Sequence, residues 1–328
     1  MKACVYFQPR EKNDNFEGAR LRENLKGALK ENNISYASNI VDTYDVIHFI
    51  SPSDLLKIND ATENRIPVVI SALYCESDES ASFLKELNEK EAISNKSLKA
   101  LNKASVVLTS DELSKHLLKE LGVTSPIEIV SSGVDLSRFE FEEENKDIFY
   151  QYYQLDKNKK FVVVIGTYDD RNTPKKLIAI ADKCPDYNFF YFGNANTLRI
   201  VRQNHKMPQN VRLCQLIDNE IYCSMMVNAS IYLSLENKKH SPITLLDAAA
   251  SKTQIVALEP THLNKKILEL THAYIAKDEN EVADIINKLN DGTLENRSSI
   301  AYEYAKENSL KNVGKKLIRI YQNLIDRR

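Results

Sequence analysis

The stretch that decides the fold is Ser230 to Glu259, SIYLSLENKKHSPITLLDAAASKTQIVALE. It predicts a short apolar strand, a polar loop over Leu235–Ser241, a helix that Pro242 opens, and a second strand over Gln254–Leu258. Leucine and alanine recur along the helix at spacings of three and four residues, which is typical of a buried helix face. The stretch therefore reads as a strand–helix–strand unit of a parallel sheet.

The loop between the first strand and the helix is the predicted ligand site. In an open parallel sheet, ligands bind outside the carboxyl ends of the strands, where helix N-termini present free N–H groups to phosphate. Glu236–Ser241 and the first helical turn at Pro242 occupy that place. By itself, the same stretch also fits an ordinary strand–helix–strand unit without a ligand.

The rest of the chain repeats this alternation of strands and helices. Short β-branched and aromatic runs alternate with amphipathic segments of helix length through all 328 residues. The pattern predicts the α/β class, with parallel, doubly wound sheets, and the length predicts two domains. The predicted boundaries are a first domain at 1–140, a charged and aromatic linker at 141–160, a second domain at 161–305 and a final helix at 306–328. Two such domains in tandem leave a cleft between the carboxyl edges of their sheets.

The composition excludes several classes of protein. A net charge of −2 argues against a general nucleic-acid binder, which needs a surplus of lysine and arginine. The five cysteines form no CxxC pair, so reduced core thiols in a cytoplasmic protein are expected and metal ligation is not. No signal segment opens the chain, and no apolar run approaches the ~18 residues of a membrane span. Contact with a membrane surface remains open.

The scarce glycines also point to strand ends. The chain has eight, and Gly133, Gly166 and Gly193 each follow or end a predicted strand. Glycine at such a place allows a tight turn or the close approach of a ligand to the backbone. Three glycines at equivalent strand ends favour a ligand site over tight turns alone.

Three stretches carry a resemblance to a known family. The run ASVVLTSDELSKHLLKELGVTSPIEIVSSGVDLSRF (Ala104–Phe139), the pair FVVVIGTYDD and NFFYFGNA, and the stretch SIYLSLENKKHSPITLLDAAASKTQIVA resemble glycosyltransferase family 4, the group 1 glycosyltransferases. The match covers most of the chain. DTYDVIHFI and the spacing of YFG, RQNH and NV are similar to short Gram-positive enzymes that add a second sugar to glycosyl-diacylglycerol.

The resemblance implies a fold and a reaction. The fold is GT-B, two Rossmann-like domains facing a central cleft, with the final helix crossing back to the first domain. The second domain would hold a nucleotide sugar, expected to be UDP-linked, and the first a glycan or glycolipid acceptor. The hexose would be transferred with retention of anomeric configuration. No cofactor and no obligatory metal would be needed, because cations and helix N-termini carry the diphosphate charge.

Matched to the family, the donor site keeps one of two acidic positions. Asp247 holds the second, where a carboxylate accepts hydrogen bonds from the ribose hydroxyls. The first acidic position falls on Lys239, whose ammonium group cannot accept a hydrogen bond. A shift of the loop would let Glu236 take this position instead. The resemblance also assigns to donor binding the positions Gly193, Ser241, Pro242 and Ile243.

The phosphate-binding cations of the family are missing. Their places are taken by Gly166-Thr167 and Asn172, and the loss should cost several kcal/mol, at ~1.5–3 kcal/mol for each charge-assisted hydrogen bond. Arg171, Lys175 or Lys176 could reach in from adjacent positions. The alternative is that these three are solvated charges at a helix start. The predicted catalytic set is therefore Asp247, Arg171 and Lys175.

The first domain departs from the family in the same way. Its first loop, rich in glycine in the family, is reduced to Phe16–Arg20, and the expected histidine falls on Leu73. Tyr74, Glu76 and Asp78 are candidate replacements, and an exposed acidic loop is the alternative explanation of these residues. His48 is predicted to be a core or edge histidine. The predicted acceptor-side set is Gly18, Arg20, Tyr74 and Gly133.

These departures leave open what the protein does. An active transferase with relaxed donor chemistry is one reading. The joint loss at Lys239, Thr167, Asn172 and Leu73 favours another, a catalytically inactive GT-B protein that partners an active glycosyltransferase or binds a glycan. A different sugar-phosphate enzyme on this fold is the third. Separately, residues 81–103 interleave lysines with apolar residues, which fits a helix on anionic lipid or a solvated domain face.

Overall fold

The protein forms two compact units. The computed structural model describes residues 1–7, 16–72, 95–141, 146–165, 173–193, 195–215, 217–235, 242–259 and 262–327. Unit 1 comprises Met1–Asp135, Ser241–Ile243 and Glu307–Arg328, and unit 2 comprises Leu136–His240 and Thr244–Lys306. Each unit contains one six-stranded sheet whose strands all pair in parallel. The predicted α/β class is confirmed.

Unit 1 has the strand order β2-β1-β3-β4-β5-β6. Its strands are β1 (Lys2–Tyr6), β2 (Ser35–Ala37), β3 (Val46–Phe49), β4 (Val68–Ser71), β5 (Val106–Thr109) and β6 (Ile127–Ile129). Its helices are α1 (Phe16–Glu31), α2 (Leu55–Glu63), α3 (Asn95–Leu101), α4 (Glu112–Glu120) and α13 (Leu310–Ile325).

The sheet of unit 1 has a hydrophobic core on each face. Side chains alternate along a strand, so Val106 and Leu108 of β5 pack with α1 and α13, and Val107 packs with α2, α3 and α4. The C-terminal helix α13 buries Leu317 and Tyr321 completely in this core. Residues 307–328 therefore belong to the same unit as the first strand, as the resemblance implies.

Unit 2 has the strand order β12-β11-β10-β7-β8-β9. Its strands are β7 (Phe161–Ile165), β8 (Asn188–Gly193), β9 (Val211–Gln215), β10 (Ile231–Ser234), β11 (Gln254–Leu258) and β12 (Tyr274–Ala276). Its helices are a 3₁₀ turn (Leu136–Phe139), α5 (Ile148–Tyr153), α6 (Thr173–Ala181), α7 (Ala195–Asn204), α8 (Asn219–Asn228), α9 (Pro242–Ala250), α10 (His262–Leu270), α11 (Glu279–Asn290) and α12 (Ser298–Glu307).

The stretch predicted as a linker, residues 141–160, contains the helix α5. Phe149 of this helix is fully buried, with its ring centroid 5.1 Å from that of Phe161 and 5.4 Å from that of Phe190. The helix is tied to α8, because Ser224 Oγ donates to Lys146 O at 2.6 Å and accepts from Phe149 N–H at 3.0 Å. Phe149, Tyr150 and Tyr153 of this stretch pack on the sheet of unit 2.

Candidate functional site

The central strands of unit 2 define where its ligand crevice lies. The chain starts at β7, continues to β8 and β9 on one side, and then crosses to β10, β11 and β12 on the other. Strand order therefore reverses between β7 and β10, and in such sheets ligands bind outside the carboxyl ends of the strands at that point. Tyr232 pairs with Val163, and each lies two residues before the end of its strand. The two strands thus end side by side.

Those two loops are the segments that the sequence assigns to the donor. Gly166, Thr167, Arg171 and Asn172 follow β7, and Glu236, Lys239 and Ser241 follow β10, all outside the described residues, as is Tyr74 in unit 1. Gly193 ends β8 immediately after Phe192, which pairs with Ile165, so it lies at the same sheet edge. The tertiary structure therefore brings the ends of three predicted donor segments together.

A lysine from the following helix reaches this sheet edge. Lys176 of α6 donates from Nζ to the backbone carbonyl of Leu235, directly after β10, at 3.2 Å. Its neighbour Lys175, predicted as the catalytic cation, is exposed. Helical residues one position apart point about 100° away from each other, so only one of the two turns toward the crevice. Which of these two lysines meets the donor phosphates stays a prediction.

Asp247 lies in the second turn of α9 and is fully buried. Its Oδ2 accepts a hydrogen bond from Tyr222 Oη at 2.8 Å, and Arg138 Nη1 lies 3.8 Å from its Oδ1. A buried carboxylate needs such partners, because leaving its charge uncompensated costs several kcal/mol. Its contact with ribose stays a prediction.

Arg138 joins three segments of unit 2 around this carboxylate. It lies on the 3₁₀ turn, donates from Nη2 to Asn219 Oδ1 in the first turn of α8, and places its guanidinium carbon 5.6 Å from the centre of the Phe139 ring. Its side chain is 17% exposed, against 0% for Asp247. Arg138, Tyr222 and Asn219, with Asp247, form what we call the Asp247 network.

Sequence reasoning missed three members of this network. Tyr222 and Asn219 carry no motif, and their partners lie 25 and 81 positions away in the chain. Arg138 stands inside the stretch GVDLSRF that carries the family resemblance, but nothing in that stretch indicates its carboxylate partner.

Two further predicted donor residues, Pro242 and Ile243, lie among the described residues. Pro242 is the first residue of α9, as predicted. Ile243 belongs to unit 1, and its side chain is buried in the hydrophobic core of that unit.

Gly133, one of the acceptor-side residues in unit 1, is bonded to helix α1. Asn24 of α1 donates from Nδ2 to Gly133 O at 2.8 Å and lies one turn after Arg20. Gly133 has φ +74°, where other residues are strained, and a Cβ there would lie 3.0 Å from Leu310 Cδ2. The glycine is therefore required by the backbone turn and by packing. Gly18 lies inside α1.

The histidine and cysteine predictions are confirmed where the structure describes these residues. His48 is fully buried and bonded to Tyr321 and Ser71, and burial lowers its pKa to about 3. Cys4, Cys184, Cys214 and Cys223 are buried free thiols, and Cys75 lies outside the described residues. Burial raises the pKa of Cys184 to about 12, which keeps the thiol protonated and unreactive.

Two features are absent from the described part of the chain. No helix among them is long and apolar enough to cross a membrane. Nor do three or more of their His, Cys, Asp or Glu side chains gather into a group that could hold a metal ion.

Comparison with known proteins identifies the class. No protein-family model matches the chain. The chain is 24% identical over 341 residues to the processive diacylglycerol alpha-glucosyltransferase of Acholeplasma laidlawii, covering 99% of both proteins. The crystal structure of Anabaena Alr3699/HepE in complex with UDP superposes with a TM-score of 0.71 at 14% identity, covering 98% of this chain and 100% of that one. A glycosyltransferase from Rickettsia africae gives 0.70 at 13% identity, covering 99% and 98%.

The fold is GT-B, and the chain is similar over its whole length to a glycosyltransferase. The full-length similarity to a diacylglycerol glucosyltransferase confirms the resemblance to group 1 glycosyltransferases. It also supports an enzyme over an inactive homologue.

Proposed function

We propose that the chain transfers a hexose from UDP-sugar to a glycolipid or glycan acceptor with retention of configuration. The observation that carries the proposal is the reversal of strand order in unit 2. Because of this reversal β7 and β10 are neighbours, so the two predicted donor loops follow adjacent strands. Helices α6 and α9 follow these loops, and their N-termini favour a diphosphate.

In the proposed reaction, the bond between the anomeric carbon and the diphosphate oxygen breaks. A bond to an acceptor hydroxyl oxygen forms on the same face, and the hydroxyl proton passes to the leaving UDP. The enzyme lowers the barrier chiefly by stabilising charge on the diphosphate and by positioning the acceptor. Lys176 supplies positive charge beside Leu235, and Asp247 accepts hydrogen bonds from the ribose. We propose that no metal takes part.

The acceptor that best fits the comparisons is a diacylglycerol-based lipid, because the curated relative acts on diacylglycerol. Such an acceptor requires contact with a membrane surface. Of residues 81–103, the stretch predicted to contact lipid, the structure describes 95–103, which include α3. Lys96 and Lys99 of α3 are exposed, whereas Ala100 and Leu101 are buried in the core of unit 1. Lysines of this helix can approach anionic lipid, whereas these apolar residues cannot enter it.

A direct assay tests the proposal. The purified chain is incubated with labelled UDP-glucose or UDP-galactose and vesicles that contain diacylglycerol or glucosyl-diacylglycerol, with GDP-glucose as the donor control. We expect labelled lipid with the donor's anomeric configuration, read by NMR, and UDP binding by calorimetry. UDP binding without any transfer would favour the alternative, an inactive subunit that assists a partner glycosyltransferase. Absence of UDP binding up to millimolar concentration would overturn the donor site.

A further inference from the structure

The C-terminal helix α13 presents a row of cations to solvent and contains no acidic residue. Its sequence, LKNVGKKLIRIYQNLI, carries four positive charges and neither Asp nor Glu. The cations are all exposed, at positions Lys311, Lys315, Lys316 and Arg319. Because successive residues of a helix are about 100° apart, these four lie within an arc of about 140° of the helix surface. The opposite face, with Val313, Leu317 and Tyr321, is buried in the core of unit 1.

The charge of this face is not compensated within the described part of the chain. No ion pair there involves any of the four cations. Exposed lysines of α10, α11 and α12, in contrast, pair with an acid three or four residues away: Lys266–Glu269 at 3.8 Å, Lys288–Asp284 at 2.7 Å and Lys306–Glu303 at 2.6 Å.

The neighbouring surface of α1 does not change this balance. The end of α1 adjoins the start of α13, where Asn32 Nδ2 donates to Lys311 O at 3.1 Å. Lys30 and Glu31 are both exposed there, so their charges cancel. The positive charge of α13 therefore remains available to a partner outside the chain.

The chemistry of the face indicates what kind of partner it fits. Its exposed positions are all Lys, Arg, Gln or Asn, and Ile320 and Leu324 pack against the core of unit 1. A partner therefore gains little from apolar contact and must be held by charge. Four cations on an amphipathic helix are typical of a surface that binds anionic lipid headgroups. A bilayer presents many headgroups to one face at once, whereas a single exposed ion pair with an acidic side chain contributes little.

We propose that the exposed face of α13 binds the anionic headgroups of a lipid bilayer by charge alone, without inserting into it. The whole chain has a net charge of −2, so the attraction is local to this helix. Binding would bring unit 1 to the membrane that contains the lipid acceptor, and this consequence alone rests on the proposed function.

Co-sedimentation of the full chain with vesicles, without any nucleotide sugar, tests the proposal. We expect binding to vesicles of phosphatidylglycerol and phosphatidylcholine, little binding to phosphatidylcholine alone, and loss of binding in about 1 M sodium chloride, where the Debye length is ~3 Å. Each cation near an anionic membrane raises the affinity about fivefold. One variant with Lys311→Gln, Lys315→Gln, Lys316→Gln and Arg319→Gln should therefore bind about a hundredfold more weakly or worse. Circular dichroism should show an unchanged fold, since all four side chains are exposed.

Two further variants serve as controls. The first removes the same amount of charge from exposed lysines of unit 2, by changing to glutamine Lys159, Lys266, Lys277 and Lys288. The second changes to glutamine the exposed lysines in and after α3, the other candidate lipid surface: Lys96, Lys99 and Lys103. Both control variants should bind the anionic vesicles nearly as well as the parent.

Several outcomes would overturn the inference. One is a variant of α13 that binds like the parent, and another is a parent that does not distinguish the two kinds of vesicle. Loss of binding only in the α3 variant would assign the surface to α3. Binding of heparin through α13 but of no vesicle would indicate a soluble anionic partner. A chain that binds anionic vesicles through α13 but transfers no sugar would lose the proposed function and keep this inference.

Discussion

His48 Nδ1 lies 2.6 Å from Tyr321 Oη, so a histidine on an inner strand of unit 1 is bonded to the C-terminal helix. The other ring nitrogen lies 2.8 Å from Ser71 Oγ at the end of β4. Both His48 and Tyr321 are fully buried, and burial both lowers the pKa of the histidine and raises that of the tyrosine. The ring is therefore neutral, with one nitrogen donating and the other accepting.

This contact predicts a pH dependence of stability. The pKa of His48 is about 3 in the fold and close to 6.5 in the unfolded chain, so between these values the unfolded state binds one more proton. The stability that His48 contributes is complete above pH 6.5 and falls by about 1.4 kcal/mol for each pH unit below it. His48→Gln should remove this slope, measured by hydrogen exchange of the β3 and β4 amides from pH 7.5 to 4.5. His116→Gln, which removes an exposed histidine on α4, should keep it.

The close packing of α1 and α13 predicts a second effect. A Cβ on Gly314 would lie 2.3 Å from the backbone oxygen of Ala28, so Gly314→Ala should destabilise unit 1 by about 2 kcal/mol or more despite the better helix propensity of alanine. Gly27→Ala meets only the tip of Leu310, at 2.6 Å, which can rotate away. Urea unfolding of the two variants should therefore differ, and equal midpoints would contradict the packing argument.

The two neighbouring lysines of α6 should differ in their effect on the donor. Lys176→Ala should weaken UDP binding by about tenfold to a hundredfold, which corresponds to one charge-assisted hydrogen bond of ~1.5–3 kcal/mol. Lys175→Ala should change it by less than about twofold, because screening by water makes an exposed charge weak. The UDP affinity of the two variants is measured by calorimetry at the same salt concentration. The reverse order would return the role to Lys175.

Removal of metal ions tests the proposed diphosphate site. If lysine and helix N-termini carry the charge, transfer from UDP-glucose should be the same in EDTA as in magnesium or manganese. A loss of activity in EDTA that added Mg²⁺ or Mn²⁺ restores would show that a cation takes part. The readout is the initial rate of labelled lipid formation.

Much of the fold follows from local pattern. The sequence pattern predicted the start of α9 at Pro242 and the bounds of β11, Gln254–Leu258, as the structure has them. It missed α5, because the charges and aromatic residues of 141–160 show no strand alternation, and the six-residue helix is stabilised by its contacts with Phe161 and α8. It also missed α2 and the short edge strand β2, which depend on packing against their neighbours.

By itself, the sequence determined the class of the fold, the resemblance to the group 1 glycosyltransferases and the loops that should meet the donor. These properties depend on residue patterns within single short stretches of the chain, so the sequence alone reveals them. Only the tertiary structure decided that β7 and β10 end side by side, that Lys176 rather than Lys175 reaches their edge, and that Asp247 is shared by Tyr222 and Arg138. The physical reason is that a buried charge takes its partners from whatever the packed strands and helices bring near, and sequence distance does not limit that choice.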